Sequence, residues 1–101
     1  MKRIYVDIDG TLTDAPRNRW GNPRLDVINK IKSLSEKGYG IVLWSAGGTR
    51  YAKRFAEKYE INTIACLGKP HLIIDDNPTI RPQKRMPILS PDAFLEKEFD
   101  V

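Results

Sequence analysis

Two aspartates separated by a single residue, Asp7 and Asp9, follow a short run of β-branched and aromatic residues near the start of the chain. Residues two apart in an extended chain project to the same side, so both carboxylates are expected to point the same way. Like charges that approach each other repel, and a carboxylate that leaves water costs free energy unless a partner compensates it. The pair therefore predicts a site where something else supplies positive charge.

A second acidic pair, Asp75 and Asp76, ends another apolar run, LIIDD. If the ends of the two runs meet, three or four carboxylates gather in one place, and a divalent cation removes their mutual repulsion. An all-oxygen set with room for water suits Mg²⁺ better than zinc, and the single cysteine and single histidine form no zinc pattern. The predicted Mg²⁺ ligands are Asp7, Asp9, Asp75 and Asp76.

The elements that must position these carboxylates are short apolar strands alternating with amphipathic helices. Four segments have the composition of buried strands: 3–8, 39–44, 63–67 and 72–74. The first helix is predicted to start with Asn22 as its cap and Pro23 in its first position. It should end at Gly38. Its buried face should carry Leu25, Ile28, Ile31 and Leu34.

A second helix is predicted after the Ser-Ala-Gly-Gly turn that follows the second strand. Its apolar stripe comprises Tyr51, Ala52, Phe55, Ala56 and Tyr59, which we interpret as core residues rather than ligand-binding ones. A short third helix should open at Ser90 and run toward Phe99.

Alternating strands and helices predict an α/β fold: a doubly wound, Rossmann-like parallel sheet with helices on both faces, in one domain spanning 1–101. Ligands of such folds bind outside the carboxyl ends of the strands. Asp7 and Asp9 lie at the carboxyl end of the first strand, which is where the ligand site of this fold is expected.

Composition restricts the class of protein and its partners. The chain has 101 residues, of which 41% are hydrophobic and 30% charged, which is typical of a soluble globular domain without membrane spans. A single cysteine excludes an internal disulfide and favours a cytoplasmic location. The formal net charge of +4 favours anionic partners, either phosphorylated small molecules or nucleic acid. The oligomeric state stays open.

Four segments together resemble the motifs of the haloacid dehalogenase superfamily, whose members are mostly Mg²⁺-dependent phosphatases with an aspartate nucleophile. DIDGT at 7–11 resembles the first motif and Ser45 the second, while Lys69 in GKP resembles the third and LIIDD the fourth. The resemblance runs from Arg3 to about Asn77. The chain has no room for the cap domain that many members carry, so it resembles a compact capless member.

The resemblance implies a role for each matching residue. Asp7 is the nucleophile, Asp9 is the general acid and base, and Ser45 and Lys69 hold the phosphoryl group. The other phosphate-binding or substrate-binding residues implied are Gly10, Thr11, Ala46, Gly47 and Arg50. The function implied is a phosphomonoesterase acting on a small phosphorylated metabolite, such as a nucleotide or a sugar phosphate. Two alternatives stay open: a nucleic-acid-end phosphatase, and a non-catalytic module that binds phosphate or nucleic acid.

Lys69 raises a geometric conflict, because only six positions separate it from Asp75. If Lys69 began an extended strand that ended at Asp75, its ends would lie ~20 Å apart and Lys69 would be at the wrong edge. If Lys69 instead ended the preceding strand, too few residues would be left for a parallel crossover, which needs about ten or more. A bent or irregular segment between Lys69 and Asp75 would reconcile the two positions. Arg50, Arg81 and Lys84 are the predicted substitutes for its charge.

Overall fold

The computed structural model describes residues 1–15, 21–74, 76 and 88–99. In this part of the chain, three parallel strands lie side by side in the order β1-β2-β3, with helices between and after them. The elements are β1 (Arg3–Asp7), α1 (Leu25–Glu36), β2 (Gly40–Ser45), α2 (Thr49–Lys58), β3 (Ala65–Gly68) and α3 (Pro91–Glu96). The predicted α/β class is therefore confirmed.

The register of the strands brings their carboxyl ends to one edge of the sheet. Asp7, the last residue of β1, is paired with Trp44. Ser45, the last residue of β2, is paired with Gly68 at the end of β3. Parallel strands all end at the same edge, so the segments that follow Asp7, Ser45 and Gly68 emerge next to one another.

The hydrophobic core lies between the sheet and the helices α1 and α2. Ile41 and Leu43, which point to the same face of β2, belong to one buried cluster with residues of both helices. Val42 points to the other face and is buried outside this cluster, while Tyr5, also on that face, is half exposed. Within the described residues, α1 and α2 thus cover one face of the sheet.

The predicted start of α1 is wrong. The helix begins at Leu25 with Arg24 in the cap position and no side-chain cap. Asn22 instead turns toward the preceding loop, where its backbone N–H donates to Asp14 Oδ1 at 2.7 Å. Pro23 forms a bridge with Thr13. Pairing between the two ends of the loop therefore replaces the local capping that the dipeptide favoured.

The later start also changes the buried face of α1. Leu25 is 55% exposed, whereas Val27, which the helical spacing did not select, is 1% exposed. The other three predicted positions are buried as expected. Gly38 follows the end of the helix with a positive φ of 97°, a conformation that glycine adopts without strain.

The other two helices agree with their sequence patterns. The predicted apolar stripe of α2 is buried or half-buried along its whole length. At the start of α3, the Ser90 hydroxyl accepts a hydrogen bond from the Ala93 N–H and Pro91 occupies the first helical position. None of the helices in the described part of the chain is long and apolar enough to cross a membrane.

The predicted strand at 72–74 is wrong. These three residues form no strand, and all are exposed: Leu72 by 77%, Ile73 by 51% and Ile74 by 90%. Because β3 extends to Gly68, only three residues separate it from Leu72, far fewer than a parallel crossover requires. The segment therefore cannot enter the sheet as the next parallel neighbour of β3.

Candidate active site

Asp7 is the centre of the candidate site. Lys69 Nζ lies 3.0 Å from its Oδ1, and the Thr11 hydroxyl donates to its Oδ2 at 3.1 Å. Both carboxylate oxygens thus have a partner, and one partner is a cation. The Asp7 side chain is 32% exposed, so it is half-buried and still open to a ligand.

A tight turn after β1 returns Thr11 toward Asp7. The backbone N–H groups of residues 11–13 all donate to the Ile8 carbonyl, at 3.0, 2.8 and 3.2 Å. Gly10 has a positive φ of 81°, and its N–H donates to Thr13 Oγ1. A side chain at Gly10 would strain this backbone conformation, so the DIDGT pattern has a local structural cause as well as a chemical one.

Asp9 lies beyond the strand and is held from another element. Its Oδ1 accepts a hydrogen bond of 2.6 Å from the hydroxyl of Tyr51, the third residue of α2. Burial raises the pKa of Tyr51, and the hydrogen bond to Asp9 raises that pKa further, so the phenol keeps its proton and acts as the donor. The apolar stripe of α2 predicts Tyr51 as a core residue. Its ring does pack against the core, but its hydroxyl belongs to the site.

Ser45 is buried at the end of β2 and organises the loop that follows. Its Oγ accepts from the Gly47 N–H at 3.0 Å, and its carbonyl accepts from Gly48 N–H and from Lys69 N–H. The cap position of α2 is occupied by Gly48. Ser45 connects the β2–α2 loop to the segment that carries Lys69.

The predicted phosphate-binding loop lies at the same edge of the sheet. Ala46 and Gly47 are exposed in it, and Arg50 is exposed in the first turn of α2. The helix has no side-chain cap and no acidic residue in its first turn. A helix N-terminus with these properties carries partial positive charge, and Arg50 adds a full one.

Lys69 directly follows β3, which resolves the conflict found in the sequence. Its backbone N–H donates to the Ser45 carbonyl and so extends the pairing of β2 with β3. Its ammonium contacts the Asp7 carboxylate and lies 5.6 Å from the centre of the Trp44 ring. Lys69 is therefore at the carboxyl edge, and no crossover is needed because 72–74 is not a strand. Arg81 and Lys84 lie outside the described residues.

The predicted Mg²⁺ ligands are only partly within the described chain. Asp76 is exposed in a bend and Asp75 lies outside the described residues. Among the residues that are described, no group of three or more acidic, histidine or cysteine side chains could hold a metal. Asp7 and Asp9 do offer the hard oxygen donors that Mg²⁺ prefers, so the donor chemistry fits that ion.

Two of the residues around the site were not among the predicted site residues. Tyr51 and Trp44 fit the apolar patterns of α2 and β2. The Tyr51 hydroxyl contacts the Asp9 carboxylate, and the Trp44 ring faces the Lys69 ammonium. The only sequence signal for Tyr51 was its place in the first turn of the helix that follows the Ser45 loop. Nothing in the sequence singled out Trp44.

The chain matches no protein-family model and no curated protein. Among solved structures, it is similar to the crystal structure of an MCSG target from Vibrio cholerae, with a TM-score of 0.65 and 26% sequence identity. The match covers 97% of this chain and 90% of that chain. This similarity supports a small α/β fold for the described residues.

Proposed function

We propose that this protein is a Mg²⁺-dependent phosphomonoesterase that acts through an aspartyl-phosphate on a small phosphorylated metabolite, such as a nucleotide or a sugar phosphate. The contact that carries the proposal is the Lys69–Asp7 pair of 3.0 Å at the carboxyl edge of the sheet. It lies beside a second carboxylate, Asp9, that is held from α2. A nucleophile, an acid–base residue and a cation for the phosphoryl group would then share one edge.

In the first half of the reaction, a carboxylate oxygen of Asp7 attacks phosphorus and the bond from phosphorus to the ester oxygen breaks. The proton of Asp9, in its carboxylic form, passes to that oxygen, so the product leaves as a neutral alcohol. Lys69 and the N-terminus of α2 stabilise the negative charge on the transferring group. The products of this half are the alcohol, the Asp7 acyl phosphate and the Asp9 carboxylate.

In the second half, the Asp9 carboxylate takes a proton from water and the hydroxide attacks the phosphorus of the acyl phosphate. The bond from phosphorus to the Asp7 oxygen breaks, which releases inorganic phosphate and restores both aspartates. Splitting one difficult displacement into two easier ones is the general advantage of a covalent intermediate.

Mg²⁺ would be held by the Asp7 carboxylate, the Asp9 backbone carbonyl and Asp75 or Asp76. When bound, it supplies positive charge that screens the nucleophile from the phosphate and stabilises the transferring group. After the first half, the Asp9 carboxylate and the phosphoryl group on Asp7 together carry more negative charge than the Lys69 ammonium balances, which supports the need for a further cation.

The non-catalytic alternative is less well supported. A module that only binds phosphate needs cationic and N–H donors, and two carboxylates near the anion would weaken that binding. The Asp9 carboxylate, held by a 2.6 Å hydrogen bond, has a use in proton transfer and none in anion binding.

We include in the proposal a cytoplasmic location and a doubly wound sheet with helices on both faces.

Phosphate release tests the proposal directly. The wild type would be given nucleotides, sugar phosphates, an aryl phosphate and a 3′-phosphorylated oligonucleotide, with Mg²⁺ or with a chelator. Asp7→Asn should lower turnover at least ~10³-fold, because the nucleophile is lost. The matched control is Asp92→Asn, an exposed aspartate on α3 that pairs with Arg24 and should keep full activity.

Three outcomes would contradict the proposal: no release from any substrate, release unaffected by the chelator, or equal activity in the two aspartate variants. If the protein prefers the oligonucleotide, its substrate is a nucleic-acid end rather than a small metabolite, and the proposed chemistry is unchanged.

A further inference from the structure

We propose that Tyr51 is a positioning residue that aims the Asp9 carboxyl group at the leaving-group oxygen. This inference rests on the proposed function, because it assigns a partner to the residue that acts there as acid and base. The supporting contact is the hydrogen bond from the Tyr51 hydroxyl to Asp9 Oδ1, at 2.6 Å. Bonds of this length between a hydroxyl and a carboxylate belong to the short, charge-assisted class.

The donor is placed by a rigid part of the fold. Tyr51 lies in the first turn of α2, and its ring packs against the core. The next residue, Ala52, is fully buried, and Phe55 one turn later is 6% exposed. Because these contacts fix the helix against β2 and β3, the position of the phenol oxygen is set by the core rather than by a loop.

Asp9 needs a hydrogen-bond donor from a rigid element more than Asp7 does. Asp7 is the last residue of β1 and has its backbone in the sheet, whereas Asp9 lies in the turn after it. A side chain on a turn keeps more rotamer freedom, which would let the carboxyl group leave the line of proton transfer. A hydrogen bond from the neighbouring helix removes that freedom.

The role predicts a dependence on the leaving group. Proton donation matters most when the departing oxygen is a poor leaving group, as in an alkyl phosphate, and little for p-nitrophenyl phosphate. Tyr51→Phe removes the hydroxyl and keeps the ring in the core. Its kcat on an alkyl phosphate should fall ~10–100-fold, while kcat on p-nitrophenyl phosphate and both KM values change less than ~3-fold.

The matched control is Tyr59→Phe, which removes a phenol hydroxyl from the other end of the same helix. It should leave both rates unchanged. A second control places Tyr51→Phe in an Asp9→Asn background, where its effect on the alkyl phosphate should disappear, because the hydroxyl then has no carboxyl group to aim.

A spectroscopic measurement tests the contact without turnover. In the metal-free protein, the side-chain carboxyl ¹³C resonance of Asp9, assigned through its absence in Asp9→Asn, should move in Tyr51→Phe and stay in place in Tyr59→Phe. An unmoved resonance in Tyr51→Phe would overturn the inference whatever the kinetics.

The kinetic outcomes separate this inference from the proposed function. Equal losses on both substrates, or a loss that persists in the Asp9→Asn background, would overturn the positioning role while the phosphatase assignment stands. A wild type without turnover on either substrate would overturn both.

Discussion

Replacing Lys69 by methionine separates the contribution of this residue to stability from its contribution to catalysis. The substitution removes the ammonium that lies 3.0 Å from Asp7 Oδ1 and keeps a long, flexible side chain. We expect a small change in the free energy of unfolding and a large loss of phosphate release.

The stability change follows from distance and exposure. Two unit charges 3.0 Å apart attract by about 1.4 kcal/mol in water and by about 5.5 kcal/mol at an effective dielectric constant of ~20. Lys69 and Asp7 are 39% and 32% exposed, so solvent screens the pair strongly. Exposed pairs contribute roughly 0.2–1 kcal/mol, and we expect a loss within that range.

The catalytic change should be much larger. In the proposed reaction, the lysine faces the position where the phosphoryl group gains charge in the transition state, and loss of one such preorganised donor costs ~10²–10³-fold in rate. The assays are urea unfolding and phosphate release from the preferred substrate with Mg²⁺. The matched control is Lys2→Met, which removes an exposed lysine from the opposite edge of the sheet.

Two results would refute this reasoning. Full activity in Lys69→Met would show that the phosphoryl group is neutralised by another cation. A loss of more than ~2 kcal/mol in unfolding free energy, with activity falling only in proportion to the folded fraction, would show a structural role instead.

Two further predictions concern contacts around the core. Lys30 donates to the carbonyls of Phe94, Leu95 and Lys97 at 2.5, 3.1 and 2.6 Å and so joins α1 to the end of α3. Lys30→Met should lower the free energy of unfolding by ~1–3 kcal/mol in urea, and an unchanged midpoint would contradict that role. Because burial raises the pKa of Tyr51, its contribution to stability is present below pH ~10, the ordinary tyrosine value, and decreases above it. The difference in unfolding free energy between wild type and Tyr51→Phe should therefore shrink as the pH rises above ~10, and a difference that grows would refute the assigned direction.

Local patterns in the sequence were sufficient for the α/β class, for three of the four predicted strands and for the buried stripe of α2. Each of these predictions depends on the hydrophobic periodicity of single elements, which arises because one face of an element is buried. They were also sufficient to place Asp7 at a strand end, and the structure shows Gly10 and Thr11 in the turn after it. That turn forms from hydrogen bonds among residues 8–13.

Contacts between distant segments settled what those patterns left open. The edge reached by Lys69 depends on where β3 stops, and the pairing of β3 with β2 extends to Gly68. The hydroxyl of Tyr51 meets Asp9 across 42 positions of sequence because α2, which packs on β2 and β3, begins at the edge of the sheet where β1 ends. An apolar stripe shows which residues face the core, but it does not show which of their polar atoms reach beyond it, since that depends on how the packed elements are arranged in space.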